Sequence, residues 1–493
     1  YTTFTDTSEF ARNVVAISSV QATIVVDTGA DTSDGDTTSL STLLANKGAD
    51  GFVSLRESIT ATNNTANGTG GADRIHFGIS GTGVHTITLG SLLPSITSAV
   101  VIDASTDDSF AANSSRPAIV LNGNNLNGDG LVLTATADGS TIRGLVVQNF
   151  QQNGIRIDTG SDGNTIAGNY VGRLTSAGTA GGVGNGQSGI SVRGNNNIVG
   201  GSSAADRNVV SGNSANGIFL SGSIGNQILG NYIGTDATAS TTIGNAADGI
   251  NLTAGSNNNT IGSAAAGNLI AASGVRGVYL LDSSGNTLQG NRIGTDLVGT
   301  ANWGVGDHGI YVDGTSNTNL VGGTSAGQGN TIANSNQLNN GSDGIHIGAS
   351  AAATTTVGNT VLGNSIYGTA NNSMGIDHGG SGVSGNDTGD GDTGPNNYQN
   401  FPVLTLATTN GSSQVQVVGT LNGNASSYFR IEFFANATSP TLDHGEGQLY
   451  LGFVNVTTNG SGNASFSTTL SANVPVGYSI SATATKSNAA FTT

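Results

Sequence analysis

The sequence predicts an all-β chain: a right-handed parallel β-helix with a small helical N-terminal cap and a C-terminal immunoglobulin-like β-sandwich. Three observations predict it. A Gly-Ile-x-Ile-like segment recurs along the middle of the chain, Gly or Asn brackets nearly every short apolar run, and the last 90 or so residues switch to longer alternating strands. The chain of 493 residues is too long for one ordinary core. It holds 78 Gly and 6 Pro, and only 9% of it is charged. Such Gly content can signal disorder, but Ile, Val and Leu recur at regular intervals through the Gly-rich stretches, so order is expected.

The repeat has three motifs. The first reads Gly154-Ile155-Arg156-Ile157 and returns at Gly189, Gly217, Gly249, Gly277, Gly309 and Gly344, with a weaker copy at Gly375-Ile376. The second is Gly168-Asn169-Tyr170-Val171-Gly172, again at Gly230 and Gly290. The third is Asn197-Ile198-Val199-Gly200, again at Asn259 and Asn319. The second motif steps by 62 and then 60 residues. This long unit is expected to divide into about three coils of roughly 20 residues. Some 14 coils between residues 100 and 385 would then make a rod on the order of 65 Å long.

In each Gly-Ile-x-Ile strand the aliphatics face one side and x the other. Stacked coils put Ile on Ile, and the corners need the positive φ that Gly and Asn accept. Stacked Asn at a corner can also hydrogen-bond from coil to coil, as Asn ladders do. A propeller would instead show blades of about 40–50 residues with four strands each.

An open solenoid end is an aggregation hazard, and residues 38–64 look like its cover. Apolar residues at helical spacing predict helices over Thr38–Lys47 and Val53–Thr62, the second with Ser54 as N-cap and Glu57 three residues on. At the other end, turn-separated strands are expected at Val403–Ala407, Gln414–Leu421, Tyr428–Ala435, Gln448–Thr457, Asn463–Leu470 and Tyr478–Thr485. That is one short of the usual seven. The expected divisions are 1–20 (a donor-like strand), 21–100 (cap and first coils), 101–385 (β-helix), 386–400 (an acidic Gly-rich joint) and 401–493 (sandwich).

The segment Val53-Ser54-Leu55-Arg56-Glu57-Ser58 resembles the CSLREA-type motif that precedes β-helix repeats in large secreted bacterial proteins, with Val53 where that motif has Cys and Ser58 where it has Ala. The phrases NTIAGNYVG and NVVSGN, the GTD after GNYIG, and the joint GDGDTGPNNYQNFPVL extend the resemblance over nearly the whole chain. It implies the same architecture and a surface or adhesin-like setting. In that family a TSEF phrase ends the last sandwich strand. Here Thr7-Ser8-Glu9-Phe10 lies at the front of the chain. The resemblance thus implies that Lys486–Thr493 followed by Tyr1–Ile17 would read as one hairpin.

Composition excludes some partners. The net charge of −17, from 14 basic and 31 acidic residues, argues against nucleic acid and against an anionic membrane surface. There is no Cys, and no apolar run approaches the ~20 residues of a membrane span. The first residue is Tyr1, not Met, which suggests a processed form or a piece of something longer. Secretion to the extracellular space or cell surface of a bacterium is expected.

These features favour an extracellular structural protein and, on balance, not an enzyme. A strand containing Phe4, Glu9, Phe10, Val14 and Val15 would complete a neighbour's sandwich, so copies would join head to tail into a filament or surface stalk. The alternative is a polysaccharide lyase, hydrolase or epimerase working on the long face. Phe219, Tyr279 and Tyr311 share the outward x position with Arg156, Ser191, Asn251, His346 and Asp377, and their rings suit sugar faces. Because that column changes character at every step, it reads mainly as a solvated face. His308 reads as a turn residue, since Asn216, Asp248 and Asp343 fill the same place, and Arg276, Arg292 and Asp296 form no recognisable set with either His. Asp387, Asp390 and Asp392, with Asn386, offer oxygen ligands suited to Ca²⁺, and the run Asp27, Asp31, Asp34, Asp36 is similar.

Overall fold

The structure, a computed structural model, describes residues 21–335, 341–369, 373–380, 382–437 and 444–488. The proposed assembly residues Phe4, Glu9, Phe10, Val14 and Val15 lie outside them. Among the described residues, three all-parallel sheets of eleven, ten and nine strands wind into a right-handed β-helix. Two three-stranded antiparallel sheets follow as an immunoglobulin-like sandwich. No helix among the described residues is long and apolar enough to cross a membrane.

The nine-stranded sheet is the Gly-Ile-x-Ile column. Ile155 pairs with Ile190, Ile190 with Ile218, Ile218 with Ile250, Ile250 with Val278, Val278 with Ile310 and Ile310 with Ile345. All seven side chains are fully buried, each stabilising the fold by roughly 1.5–3 kcal/mol. The coil differs from expectation. Residues 190, 218 and 250 are next neighbours, so one turn takes 28 or 32 residues, not 20. The 62-residue unit is two coils, because Tyr170 pairs with Val209 and Val209 with Tyr232. The three motifs are the three sides of one coil; the first recurs in every coil, while the second and third are degenerate in alternate coils. Eleven strands at coil spacing make a rod of about 50 Å.

Asparagine fixes two corners. From Asn164 through Asn197, Asn226, Asn259, Asn286 and Asn319 to Asn359, each Nδ2 donates to the next Oδ1 at 2.9–3.1 Å. A second ladder runs from Asn169 to Asn364 in the same way. The next Asn supplies the acceptor that a bare corner would lack.

The N-terminal cover consists of α1 (Leu40–Ala45) and α2 (Leu55–Asn63). Ser54 and Glu57 form a capping box on α2, and Leu55 and Ile59 pack under it. Glu57 also accepts from the backbone N–H groups of Asp34 and Gly35, which ties the acidic run to the helix. The run is occupied by protein contacts: Asp27 pairs with Lys47, Asp31 with Arg56, and Asp34 accepts from Ala49 and Asp50.

The sandwich strands are Val403–Thr409, Val415–Asn422 and Asn463–Leu470 in one sheet, and Leu449–Thr457, Tyr428–Asn436 and Ser479–Ser487 in the other. Phe429, Ile431, Phe433 and Val417 fill the space between them. The sandwich covers the last coil. Gly363 N–H donates to Glu432 (2.8 Å), Thr369 N–H to Glu446 (2.6 Å), and Ile366 bridges to Gly447.

Candidate functional site

Stacking turns distant sequence positions into neighbours. The outward x residues form one column: Arg156, Ser191, Phe219, Asn251, Tyr279, Tyr311, His346 and Asp377, each paired to the next. Beside it runs the residue preceding each Gly. Gly249 N–H donates to Arg276 O, Gly277 N–H to His308 O and Gly309 N–H to Asp343 O, so Asp248, Arg276, His308 and Asp343 also follow one another. Where these columns pass through positions 276 to 377, chemistry accumulates.

Tyr279 and Tyr311 stack with ring centroids 5.3 Å apart. The Arg276 guanidinium lies 4.0 Å from the Tyr279 centroid and 5.1 Å from that of Tyr311. It is flanked by Asp248 (3.6 Å) and Asp307 (3.7 Å). His308 sits 5.0 Å from Tyr311 and 4.5 Å from His346, centroid to centroid. Asp343 Oδ2 lies 2.8 Å from His346 Nδ1, its Oδ1 accepts from Met374 N–H (2.7 Å), and its own N–H donates to His308 Nδ1 (2.9 Å). Asp377 Oδ2 is 3.9 Å from His346 Nδ1. Asp343, His346 and Asp377 are buried and His308 nearly so.

This environment splits the titrations. Burial pushes His308 down to about 4, and the N–H donated to its Nδ1 fits a neutral ring protonated at Nε2. Burial also acts to lower His346, but its hydrogen bond to Asp343 and the charges of Asp343 and Asp377 outweigh it, and its pKa is raised. Burial and the Asp343 charge push Asp377 up to about 6. His346 and Asp377 therefore titrate as a pair, each one's charge acting on the other. Tyr311 is raised by burial and by Asp313.

His308, Asp343 and His346 offer ligand atoms within 4.8 Å of one another. A metal held through the two Nδ1 atoms would take the lone pair that accepts Asp343 N–H at His308 and break the His346–Asp343 bond. The set fits proton transfer better than ligation. Asp387, Asp390 and Asp392 form the other such group. Asp390 accepts from Asn400 N–H (2.8 Å) and Asp387 Oδ2 from Gly391 N–H (3.0 Å), while Asp387 Oδ1 is buried without a partner. Burial and the neighbouring carboxylates raise Asp390 and Asp392. Asn386 is spent on Phe401, donating to its O and accepting from its N–H.

Of the proposed sugar-contacting residues, Tyr279 and Tyr311 meet, while Phe219 is separated from them by the Asn251 strand. Arg276, read from sequence as unconnected to either His, shares Asp307 with His308. Arg292 and Asp296 stay apart: Arg292 lies on the ten-stranded sheet and Asp296 in the loop after it. The column ends at a cavity of about 980 Å³ between the last coil and the sandwich, lined among others by Asp377, His378, Tyr398, His444 and Glu446.

No protein-family model matches the chain, and no curated protein sequence matches it. Among solved structures it is similar to tailspike protein 2 from an Escherichia coli O157:H7 bacteriophage. Identity is 10%, with 87% of this chain and 63% of that one covered and a TM-score of 0.38. It is also similar to the periplasmic alginate epimerase AlgG (17%; 62% and 60% covered; TM-score 0.31). A third is the Azotobacter vinelandii mannuronan C-5 epimerase AlgE4 A-module (15%; 65% and 87% covered; TM-score 0.32). The chain spans less than two thirds of the tailspike's length. At these values the neighbours lend no residue role to this chain.

The clustered site corrects the sequence reading of a structural, self-assembling filament protein that completes its neighbour by a donor strand, and with it the expectation of a chain that is not an enzyme. Two imidazoles and two carboxylates packed together with opposed pKa shifts destabilise a fold. A rod whose work is done by interlocking strands has no use for them on the outer face of its last coils.

Proposed function

We propose that this chain is an enzyme acting on a polysaccharide, as a lyase, hydrolase or epimerase, with the glycan laid along the nine-stranded face. The observation that carries this reading is the His308–Asp343–His346–Asp377 cluster abutting the Tyr279–Tyr311 stack. The rings offer a flat apolar platform. Asn251 Oδ1, buried beside the platform without a hydrogen-bond partner, can accept from a sugar hydroxyl, and Arg276 Nε, which makes no hydrogen bond, can donate to a hydroxyl oxygen. The His346–Asp377 pair can give and take a proton near neutral pH, which is what cleavage or epimerisation of a glycan needs.

The setting is extracellular or at the cell surface, in keeping with the resemblance to secreted bacterial β-helix proteins that open with the CSLREA-type motif. The capped α2 helix supports that kinship. The cap and first coils would occupy 21–100, the β-helix 101–385, the joint 386–400 and the sandwich 401–493. Asp387, Asp390 and Asp392 would hold Ca²⁺ at the joint, a use suggested by the unpartnered Asp387 Oδ1. If so, adding Ca²⁺ raises the melting temperature and a chelator reverses it. An unchanged melting curve removes the metal.

The functional test is incubation of the purified chain with a panel of polysaccharides, followed for reducing ends, unsaturated ends and changed sugar configuration. His346→Gln and Asp377→Asn should abolish whichever product forms. Product formation that survives both substitutions would place the chemistry elsewhere.

A further inference from the structure

We infer that the glycan handled by this site is uncharged, and that the reaction is hydrolysis and not elimination or epimerisation of a uronate. The inference rests on the polysaccharide-acting reading above and narrows it. Its basis is the balance of charge around the platform. Asp248, Asp282, Asp313, Asp343 and Asp377 all bear on Tyr279, Tyr311 or His346, and Asp307 lies 3.6 Å from His308. Against them stand Arg276, already held between Asp248 and Asp307, and His346, whose proton is already matched by Asp343 and Asp377. Arg156, nearer the N-terminal end of the face, is likewise paired with Asp129 and Asp158. The sequence has no Lys between Lys47 and Lys486.

Removing the proton beside a uronate carboxylate builds negative charge on that carboxylate. Such a step needs a cation aimed at it. Here an incoming carboxylate would meet a row of carboxylates and a guanidinium with two anionic partners already. A neutral sugar meets the same row as a set of acceptors for its hydroxyl protons. In hydrolysis the His346–Asp377 pair gives one proton to the glycosidic oxygen as the bond from that oxygen to the anomeric carbon breaks. The pair recovers one proton from the water whose oxygen bonds that carbon. One water is consumed and the pair ends as it began.

The test uses the intact chain on a neutral glucan, a galactomannan, polygalacturonate, alginate and chitosan, each at low and at high salt. Reducing ends from a neutral glycan are expected, at a rate changing less than about twofold with salt, because no substrate charge is screened. Polyuronates should give no unsaturated ends and no change of configuration, and should compete weakly, more strongly as salt screens repulsion. Unsaturated or epimerised products, or a tenfold preference for a polyuronate that salt weakens, would overturn the inference while leaving the polysaccharide reading intact. Preference for chitosan would overturn the assignment of an uncharged substrate. Failure to bind or change any of the five would overturn the polysaccharide reading itself.

Discussion

Asp343→Asn changes one atom of the site and should disable it without unfolding the coil. The Asn oxygen can still accept Met374 N–H, and the backbone N–H that meets His308 Nδ1 is untouched. What changes is the contact with His346, where an NH₂ now faces a ring nitrogen that had been donating to a carboxylate at 2.8 Å. His346 must adopt the other tautomer, with its proton on Nε2, and it loses the charge that held its pKa up against burial. A hydrogen bond to a charged group is worth about 1.5–3 kcal/mol, or about 1–2 pH units of titration. The His346 midpoint should fall by that amount, and Asp377 should fall with it, since the Asp343 charge helps raise it. Side-chain ¹⁵N–¹H NMR titration reads both His346 and its tautomer, with no substrate needed. Turnover should drop by about 10²–10⁴, the usual share of acid–base catalysis. A His346 midpoint that moves less than about half a unit would refute the reasoning, because Asp343 would then not set the protonation of the pair.

The rate on the true substrate should be bell-shaped in pH. It should fall below about 6 as Asp377 takes up a proton, and fall on the alkaline side, above 6.5, as His346 loses one; these are apparent values of the pair, and a flat profile from 5 to 8 contradicts it. Tyr279→Ala should raise KM roughly five- to thirtyfold with kcat little changed, and Tyr279→Phe should restore it, since the ring supplies about 1–2 kcal/mol of contact. Asn291→Ala should cost about 2–5 kcal/mol, measured by urea denaturation, because the Asn268 N–H and one Asn268 Nδ2 proton lose their buried acceptor. Activity at low temperature should survive that substitution, as Asn291 lies at the corner joining the other two sheets.

The column of x residues can be read directly from the sequence, because Gly-Ile-x-Ile carries its own register. So can the Asn corners, the capped helix and the six sandwich strands, where local chemistry and periodicity agree. The coil length could not be read so simply. Copies of the second motif 62 residues apart looked like the unit, while the intervening side at Val209–Ser211 carries no Gly-Asn-Tyr phrase. The same degeneracy of alternate coils conceals the site in the sequence. With a 20-residue coil, copies of the first motif 28 to 35 residues apart are not next neighbours. His308 then has no reason to touch His346, nor Arg276 to reach Asp307. With the coil at its observed length each stands one coil from the next. The signal that could have found them is the pre-Gly column, where Asp248, Arg276, His308 and Asp343 follow the neutral Asn153, Ser188 and Asn216.

A stacked coil separates what must stay constant from what is free to vary. Inside, any change in an Ile or Asn is felt by the coils above and below, because each side chain packs on or bonds to its copies. Outside, a single x residue can change without disturbing the ladder, so chemistry can be written one coil at a time. A smooth outer face nevertheless leaves its side chains in water, where pKa values relax to ordinary ones. Here neighbouring coils bury His308 and His346, and Asp377 lies where the last coil runs into the sandwich, at a cavity of about 980 Å³ walled on one side by His444 and Glu446 of that module. The sandwich therefore serves twice: it covers the open end of the coil, and it forms the second wall of the cavity at which Asp377, held up to about 6, ends the column.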